Sequence, residues 1–314
     1  EFVGKLHQGG WKGRTIVQRC KARPLITSGE TMVRERLKSG LELPAMPELA
    51  AEIIRFRNNP YAHAGELAAV IEQDPGLSAQ VMRYAGSPLY HGHGRIHTVE
   101  QAIVQVLGMD LAEDLAFGLS LGRAFDSPRE GPLGLDSVWQ HALYCASLTL
   151  ALCRQMDAGR APPASMAYLS GLLHNFGLLL LGHLFPAQFA RLNQAVTAEP
   201  HCNVLELERA TIAVSHTELG LWLMEAWEMP REIVEAVSEH HNADHRGDHA
   251  VLANLIYIAN ALLKRHGIGD AEETRIPEAL LRRFGLDEGK LALALGGVLQ
   301  GREGLELMAA KMAA

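Results

Sequence analysis

Apolar residues return every three to four positions through most of this chain from Ser28 onward. No stretch alternates apolar with polar residues long enough to build a strand. That single periodicity restricts the chain to an all-α fold. Helices are predicted over 28–39, 47–58, 64–73, 76–85, 98–106, 109–124, 136–155, 163–181, 186–197, 203–226, 230–240, 248–266, 275–284 and 288–299. Gly- and Pro-bearing joints such as "NNPYAHAG", "SPREGPLG" and "DAGRAPP" separate them. Thr98 with Gln101 and Ser215 with Glu218 are spaced as capping boxes, in which a hydroxyl and a longer side chain satisfy early backbone N–H groups reciprocally. No period repeats along the chain, which argues against a helical solenoid.

At 314 residues the chain has room for one large or two medium domains. Residues 1–27 read as a linker or the end of a preceding domain. "DSPREGPLGLDS", residues 126–137, concentrates Pro, Gly and charge between two long helices, and so separates a first lobe from a second. A net charge of −7 disfavours nucleic acid as the partner of the whole chain. The local exception is an acid-free segment from Phe2 to Gly29 bearing Lys5, Lys12, Arg14, Arg19, Lys21 and Arg23, read first as a solvated basic linker. Four widely spaced cysteines, without a C-x-x-C pair, fit a reduced cytoplasmic protein. The longest apolar run is broken by His183 and Pro186, so no membrane span is expected. The chain starts at Glu1 with no charged-then-apolar leader, so no signal peptide is expected and the chain reads as a fragment of something longer.

Fifteen histidines are present, and those of the second lobe are distributed one helix at a time: His141 in "VWQHALYCA", His174 in "LLHNFG", His216 in "VSHTELG", His240 and His241 in "SEHHN". Helices that each bring one imidazole to a common point can build a metal site, but hard cations such as Mg²⁺ and Mn²⁺ also need anionic oxygen. Each histidine also has a local explanation. His216 would sit in the first turn of its helix, while His240 and His241 would lie near a helix C-terminus, where a protonated ring meets the dipole favourably. Cys145, one turn after His141, reads as a small core residue. The Gly-rich "HGHG" at 91–94 reads as a flexible loop. No phosphate-loop, dinucleotide or serine-hydrolase motif is present.

Six stretches in order, "LPAMPELAAEII" (43–54), "VIEQDPGLSAQVMRYAGSPLY" (70–90), "IHTVEQAIVQVLGMDLAEDLA" (96–116), "WQHALYCASLTLAL" (139–152), "AYLSGLLHNFGLLLL" (167–181) and "HTELGLWLMEAWEMPREIVEAVSEHH" (216–241), carry a resemblance to a known family. Together they resemble the HDOD branch of the HD superfamily, a degenerate relative of the metal-dependent HD and HD-GYP phosphohydrolases. The resemblance implies a bilobed all-α domain over 28–245, with a first helical lobe at 28–126 and an HD-like lobe at 136–245. Residues 246–314 are then expected as a C-terminal helical extension packing on the HD-like lobe. It also implies that His141 falls on the first ligand histidine, that the His-Asp doublet becomes His174 and Asn175, that His216 and His240 fall on later histidines of the HD-GYP branch, and that Asn260 stands at the closing Asp. Both carboxylates are thus amides, leaving the imidazoles without charge compensation. Asn242 takes the Glu position of the HD-GYP His-His-Glu stretch, and no Gly-Tyr-Pro follows, which disfavours cyclic dinucleotide hydrolysis.

What the resemblance implies for function is a non-catalytic output or scaffold domain of a bacterial signalling or two-component regulator, with no cofactor. It would act through contacts with signalling proteins or with an N-terminally fused receiver, GGDEF or EAL domain, and not on a membrane. The loop at 86–97 and the helices after Gly267 are the candidate contact surfaces. "HNFG" then reads as the remnant of a metal box kept for helix packing, its glycine allowing close helix approach. The alternative is an HD-type phosphohydrolase acting on a nucleotide or phosphodiester with Mn, Fe or Mg, held by His141, His174, His216 and His240 and a substitute carboxylate, Glu218 or Asp244. Nucleic-acid binding through residues 5–23 is a third reading.

Overall fold

The computed structural model describes residues 43–57, 59, 61–86, 96–157, 159–270 and 275–313. The expected helix at 28–39, the basic segment 5–23, the linker 1–27 and the "HGHG" loop lie outside the described residues. In chain order the helices are α1 (Glu48–Arg57), α2 (Ala64–Glu72), α3 (Pro75–Ala85), α4 (Val99–Ala102) and α5 (Met109–Leu121). They continue with α6 (Leu135–Gln155), α7 (Ala164–Leu173), α8 (Phe176–Leu184), α9 (Pro186–Ala198), α10 (Val204–Thr211), α11 (His216–Ala226), α12 (Arg231–Glu239) and α13 (Ala250–Lys264). Last come α14 (Glu278–Phe284), α15 (Glu288–Gln300) and α16 (Arg302–Met312). The described residues contain no strand, as the periodicity requires.

Local chemistry places most boundaries. Asp74 accepts from the N–H groups of Gly76 and Leu77 and, with Pro75 in the first turn, starts α3. Ser215 and Glu218 form the full capping box of α11. Thr98 does cap the Gln101 N–H, but the Gln101 side chain accepts from His97 N, one residue earlier than a reciprocal box would place it. The helix beginning at Thr98 widens into a π-helical segment over Ile103–Leu107 and stops at Gly108, whose φ of 75° is left-handed.

Two helices expected to be continuous are broken, and both breaks serve the interior. The stretch 163–181 divides between α7 and α8 at His174 and Asn175, and 203–226 divides between α10 and α11 at 212–215, where Ala213 takes a left-handed φ of 68°. The helix α16 was not anticipated from periodicity.

The helix pair α7 and α8 is apolar all round and lies at the centre, with α6, α5 and α12 against α7 and α11 against α8. By length and composition Ala164–Leu184 could cross a membrane, contrary to the reading of the sequence. However, 83% of its most apolar window is buried and the helix is interrupted at Asn175, so it is the core pair of this fold. Gly171 permits the approach to α6: a Cβ there would lie 2.7 Å from Ala146 Cα. At Gly177 a Cβ would collide with the His216 carbonyl oxygen, so the glycine of "HNFG" is what lets α8 meet the start of α11. The helices α15 and α16 pack on α6, and α16 also reaches α3. Cys145 and Cys153 are free and buried.

Candidate functional site

Five imidazoles converge, from α6 (His141), the α7–α8 break (His174), the first residue of α11 (His216) and the end of α12 (His240, His241). His141 and His174 have ring centroids 4.9 Å apart, as do His174 and His240; His216 lies 5.3 Å from His240 and 5.1 Å from His241, and His240 lies 4.4 Å from His241. His174 and His216 are fully buried.

The orientation of each ring is set from behind. His174 Nδ1 donates to the Gly171 carbonyl at 2.8 Å, and His240 Nδ1 to the Val237 carbonyl at 2.8 Å. Each acceptor is a carbonyl at the C-terminal end of a helix, where no intrahelical donor follows. His216 is held by Glu208 of α10, fully buried, whose carboxylate accepts from His216 N at 2.9 Å and from His216 Nδ1 at 2.8 Å. This explains the break before α11: the turn at 212–215 brings an anion onto the helix N-terminus, where the dipole favours it. With their Nδ1 atoms donating, His174, His216 and His240 present Nε2 lone pairs inward.

The carboxylate absent from the expected positions enters from elsewhere. Asp270, on the loop following α13, has a side chain only 5% exposed and stands 3.5 Å from His141 Nδ1 and 3.9 Å from His241 Nε2. Gly267 and Gly269, at φ 74° and 89°, shape that loop. A Cβ on Gly269 would stand 2.5 Å from His141 Nε2, so only glycine lets the chain lie across that ring. The expectation that the imidazoles lack charge compensation is therefore corrected. Neither residue suggested as a substitute carboxylate serves: Glu218 is engaged in the cap of α11 and the Asp244 side chain is 95% exposed.

Asn175 turns its amide inward instead of capping α8. Its Nδ2 donates to His141 Nδ1 and to Asp270 Oδ2, each at 3.2 Å, while His141 Nε2 pairs with Asn260 Oδ1 at 3.0 Å. The two amides thus anchor both edges of the His141 ring. His174 Nε2, His241 Nε2 and Asp270 Oδ1 have no hydrogen-bond partner among the described residues.

Burial holds the rings of His141, His174 and His240 below the usual imidazole range and brings His241 down to about 4. For His216 burial acts in the same direction but is outweighed by the charge and hydrogen bond of Glu208, so its affinity for a proton rises. Asp270 is held ionised, burial being overcome by the surrounding imidazoles. Burial raises the Cys145 thiol, in keeping with an unreactive core residue.

All six residues singled out from the sequence, His141, His174, Asn175, His216, His240 and Asn260, lie in or against this cluster. Glu208 and Asp270 were missed as participants, and His241, noted beside His240 among the second-lobe histidines, was not assigned to the pocket. Glu208 had a legible signal: it falls on the buried face of α10 with Val204 and Leu207, where an acid needs a partner. Asp270 had none beyond the Gly-x-Gly preceding it.

Comparison with known proteins places the scaffold. A structure from Marinobacter aquaeolei VT8 designated a signal transduction protein is similar at 32% identity and a TM-score of 0.78, over 94% of this chain and 68% of that one. A protein from Shewanella amazonensis SB2B designated a phosphohydrolase shares the fold at 22% identity and TM-score 0.68, over 90% and 98%. An HDOD domain protein of unknown function from Geobacter sulfurreducens shares it at 22% and 0.64, over 90% and 97%. Among curated proteins, an uncharacterized protein of Treponema pallidum (strain Nichols) is 25% identical over 244 residues, 77% of this chain and 46% of that protein. The chain therefore spans less than half the length of that relative. The HDOD domain signature matches residues 43–243, and the chain belongs to the HDOD domain family.

Proposed function

We propose that this chain is a non-catalytic signal-transduction output domain that receives an upstream signal and acts through protein contacts. The observation that supports this best is Asn175. Its amide N–H groups point at His141 Nδ1 and Asp270 Oδ2, the atoms a cation in that half of the cluster would have to share. A neutral amide cannot bridge two metals as an anion, so the paired-ion activation of water used in two-metal attack on phosphorus is not available at that position. The signalling designation of the Marinobacter relative agrees with this reading. For contact surfaces, α15 and α16 carry the exposed side chains Leu293 and Leu307. The loop at 86–97 lies largely outside the described residues.

A second reading, hydrolysis of a phosphodiester, draws support from Asp270, which returns one negative charge to the site. The two are separated by assaying the chain loaded in turn with Mn²⁺, Fe²⁺, Mg²⁺ and Zn²⁺ on bis-p-nitrophenyl phosphate and on cyclic dinucleotides. The expected result is no turnover above the free-metal background. Turnover that disappears in His174→Ala while the variant stays folded would overturn the signalling-only reading.

A further inference from the structure

A cavity of about 370 Å³ opens where α3 (Gln80), α5 (Leu119), α6 (Trp139) and α16 (Met312) meet the connection that carries Phe125 and Arg129. Trp139 and His141 are two residues apart on α6, so they leave that helix on nearly opposite faces, and the cavity is separate from the imidazole cluster. Its size falls within the range of small-molecule pockets, about 300–1,000 Å³.

The polar groups of the cavity decide what fits it. Trp139 is only 2% exposed. Its ring is seated by Gly122, where a Cβ would collide with the six-membered edge of the indole, and by an edge-on contact with Phe176 at 5.8 Å. The indole N–H meets no acceptor among the described residues and is not among the polar atoms sealed from water, so it opens on the cavity. At the mouth, Arg129 already holds Asp136 at 3.2 Å, and the exposed Asp126 adds a negative charge. The cavity therefore offers one inner donor and no surplus positive charge. A carboxylate set against that donor would lose hydration with no free cation to offset the loss, and an ammonium group would meet an N–H with an N–H. An uncharged carbonyl oxygen answers the indole without either cost.

We infer that this cavity binds a small uncharged molecule with an apolar body and one carbonyl-type oxygen. The oxygen accepts from Trp139 Nε1, and the body lies against Leu119, Phe125 and Met312. Phe176, in edge contact with both Trp139 and Phe125, directly follows Asn175 in the chain. An occupant thus bears through one ring on the residue beside the imidazole cluster, and it touches four helices at once. The inference goes beyond the signalling reading and does not rest on it.

The test uses the full chain, labelled with ¹⁵N, and three probes: 1-indanone, which carries the carbonyl, indane, which lacks it, and indane-1-carboxylate, which bears a charge in its place. Titration with 1-indanone should move one of the four tryptophan indole N–H resonances saturably. The resonance that moves should be the one missing from the spectrum of Trp139→Phe. Indane should bind about 3–10-fold more weakly, the worth of one hydrogen bond, and the carboxylate should also bind more weakly than 1-indanone. Nuclear Overhauser contacts from 1-indanone to the Met312 methyl group and to an indole N–H are read on the wild type alone, so the placement is decided even where Trp139→Phe fails to fold. No saturable shift at millimolar 1-indanone, or contacts to other residues, overturns the site. Equal binding by indane overturns the role of the indole N–H, and tighter binding by the carboxylate overturns the uncharged class. These readouts are separate from the phosphodiester assay, so failure of the signalling reading leaves them unchanged.

Discussion

Gly177→Ala isolates the packing argument from the chemistry. The added methyl would collide with the His216 carbonyl oxygen and stand 2.7 Å from His216 C and 2.9 Å from Gly220 N, so it meets backbone on every side. Because no rotamer change can relieve a backbone contact, α11 must retreat from α8. Overpacking of this kind destabilises by about 1–3 kcal/mol, and a backbone obstacle belongs at the upper end. Alanine recovers up to about 1 kcal/mol of helix propensity, which leaves a net loss of about 2 kcal/mol. For a chain of this size that lowers the melting temperature by roughly 4–8 °C, at about 2–4 °C per kcal/mol. Gly296→Ala in α15 is the control, since a Cβ there meets nothing within 4 Å; it should stabilise by about 0.5–1 kcal/mol. Urea unfolding of both variants, with thermal melts alongside, reads the difference. If Gly177→Ala unfolds like the wild type, the claim that this glycine sets the α8–α11 approach is wrong.

Two further expectations concern buried charge and capping. Arg57 of α1 serves two carboxylates of α5, bonding Glu113 at 3.0 Å and Asp114 more closely, and burial, outweighing Arg57, pushes the Asp114 carboxyl up to about 6. A carboxyl raised on folding binds its proton more tightly when folded, so its contribution to stability declines as pH climbs from the unfolded value toward about 6. Arg57→Met should therefore destabilise by about 2–3 kcal/mol above that pH, less than the about 3–5 kcal/mol of a fully buried pair because Arg57 is 34% exposed. The loss should shrink below about 6 as the carboxyls take up protons; an equal loss at both pH values counts against the assignment. Ser215→Ala removes the hydroxyl that accepts from Glu218 N and should reduce stability by about 1 kcal/mol, measured by the same unfolding curves; no change would mean that Glu208 alone secures this helix start.

Local sequence determined the helical class and most helix boundaries, because periodicity, caps and breakers act within a few residues of one another. It also placed His141, His174, His216 and His240 on separate elements, but their convergence and the reading of His174–Asn175 as a degenerate HD doublet rested on the family resemblance. It did not reveal that the long apolar helices break at His174–Asn175 and at 212–215, since propensity favoured continuing them and only the buried hydrogen bonds of Gly171 and Glu208 favour stopping. Least legible was the carboxylate. Asp270 lies 129 residues after His141 in the chain and on a loop, and no local pattern records that two left-handed glycines fold it back against that ring. Which charges meet in a closed interior is settled by the path of the whole chain, so the tertiary structure alone decided that these imidazoles have an anion beside them.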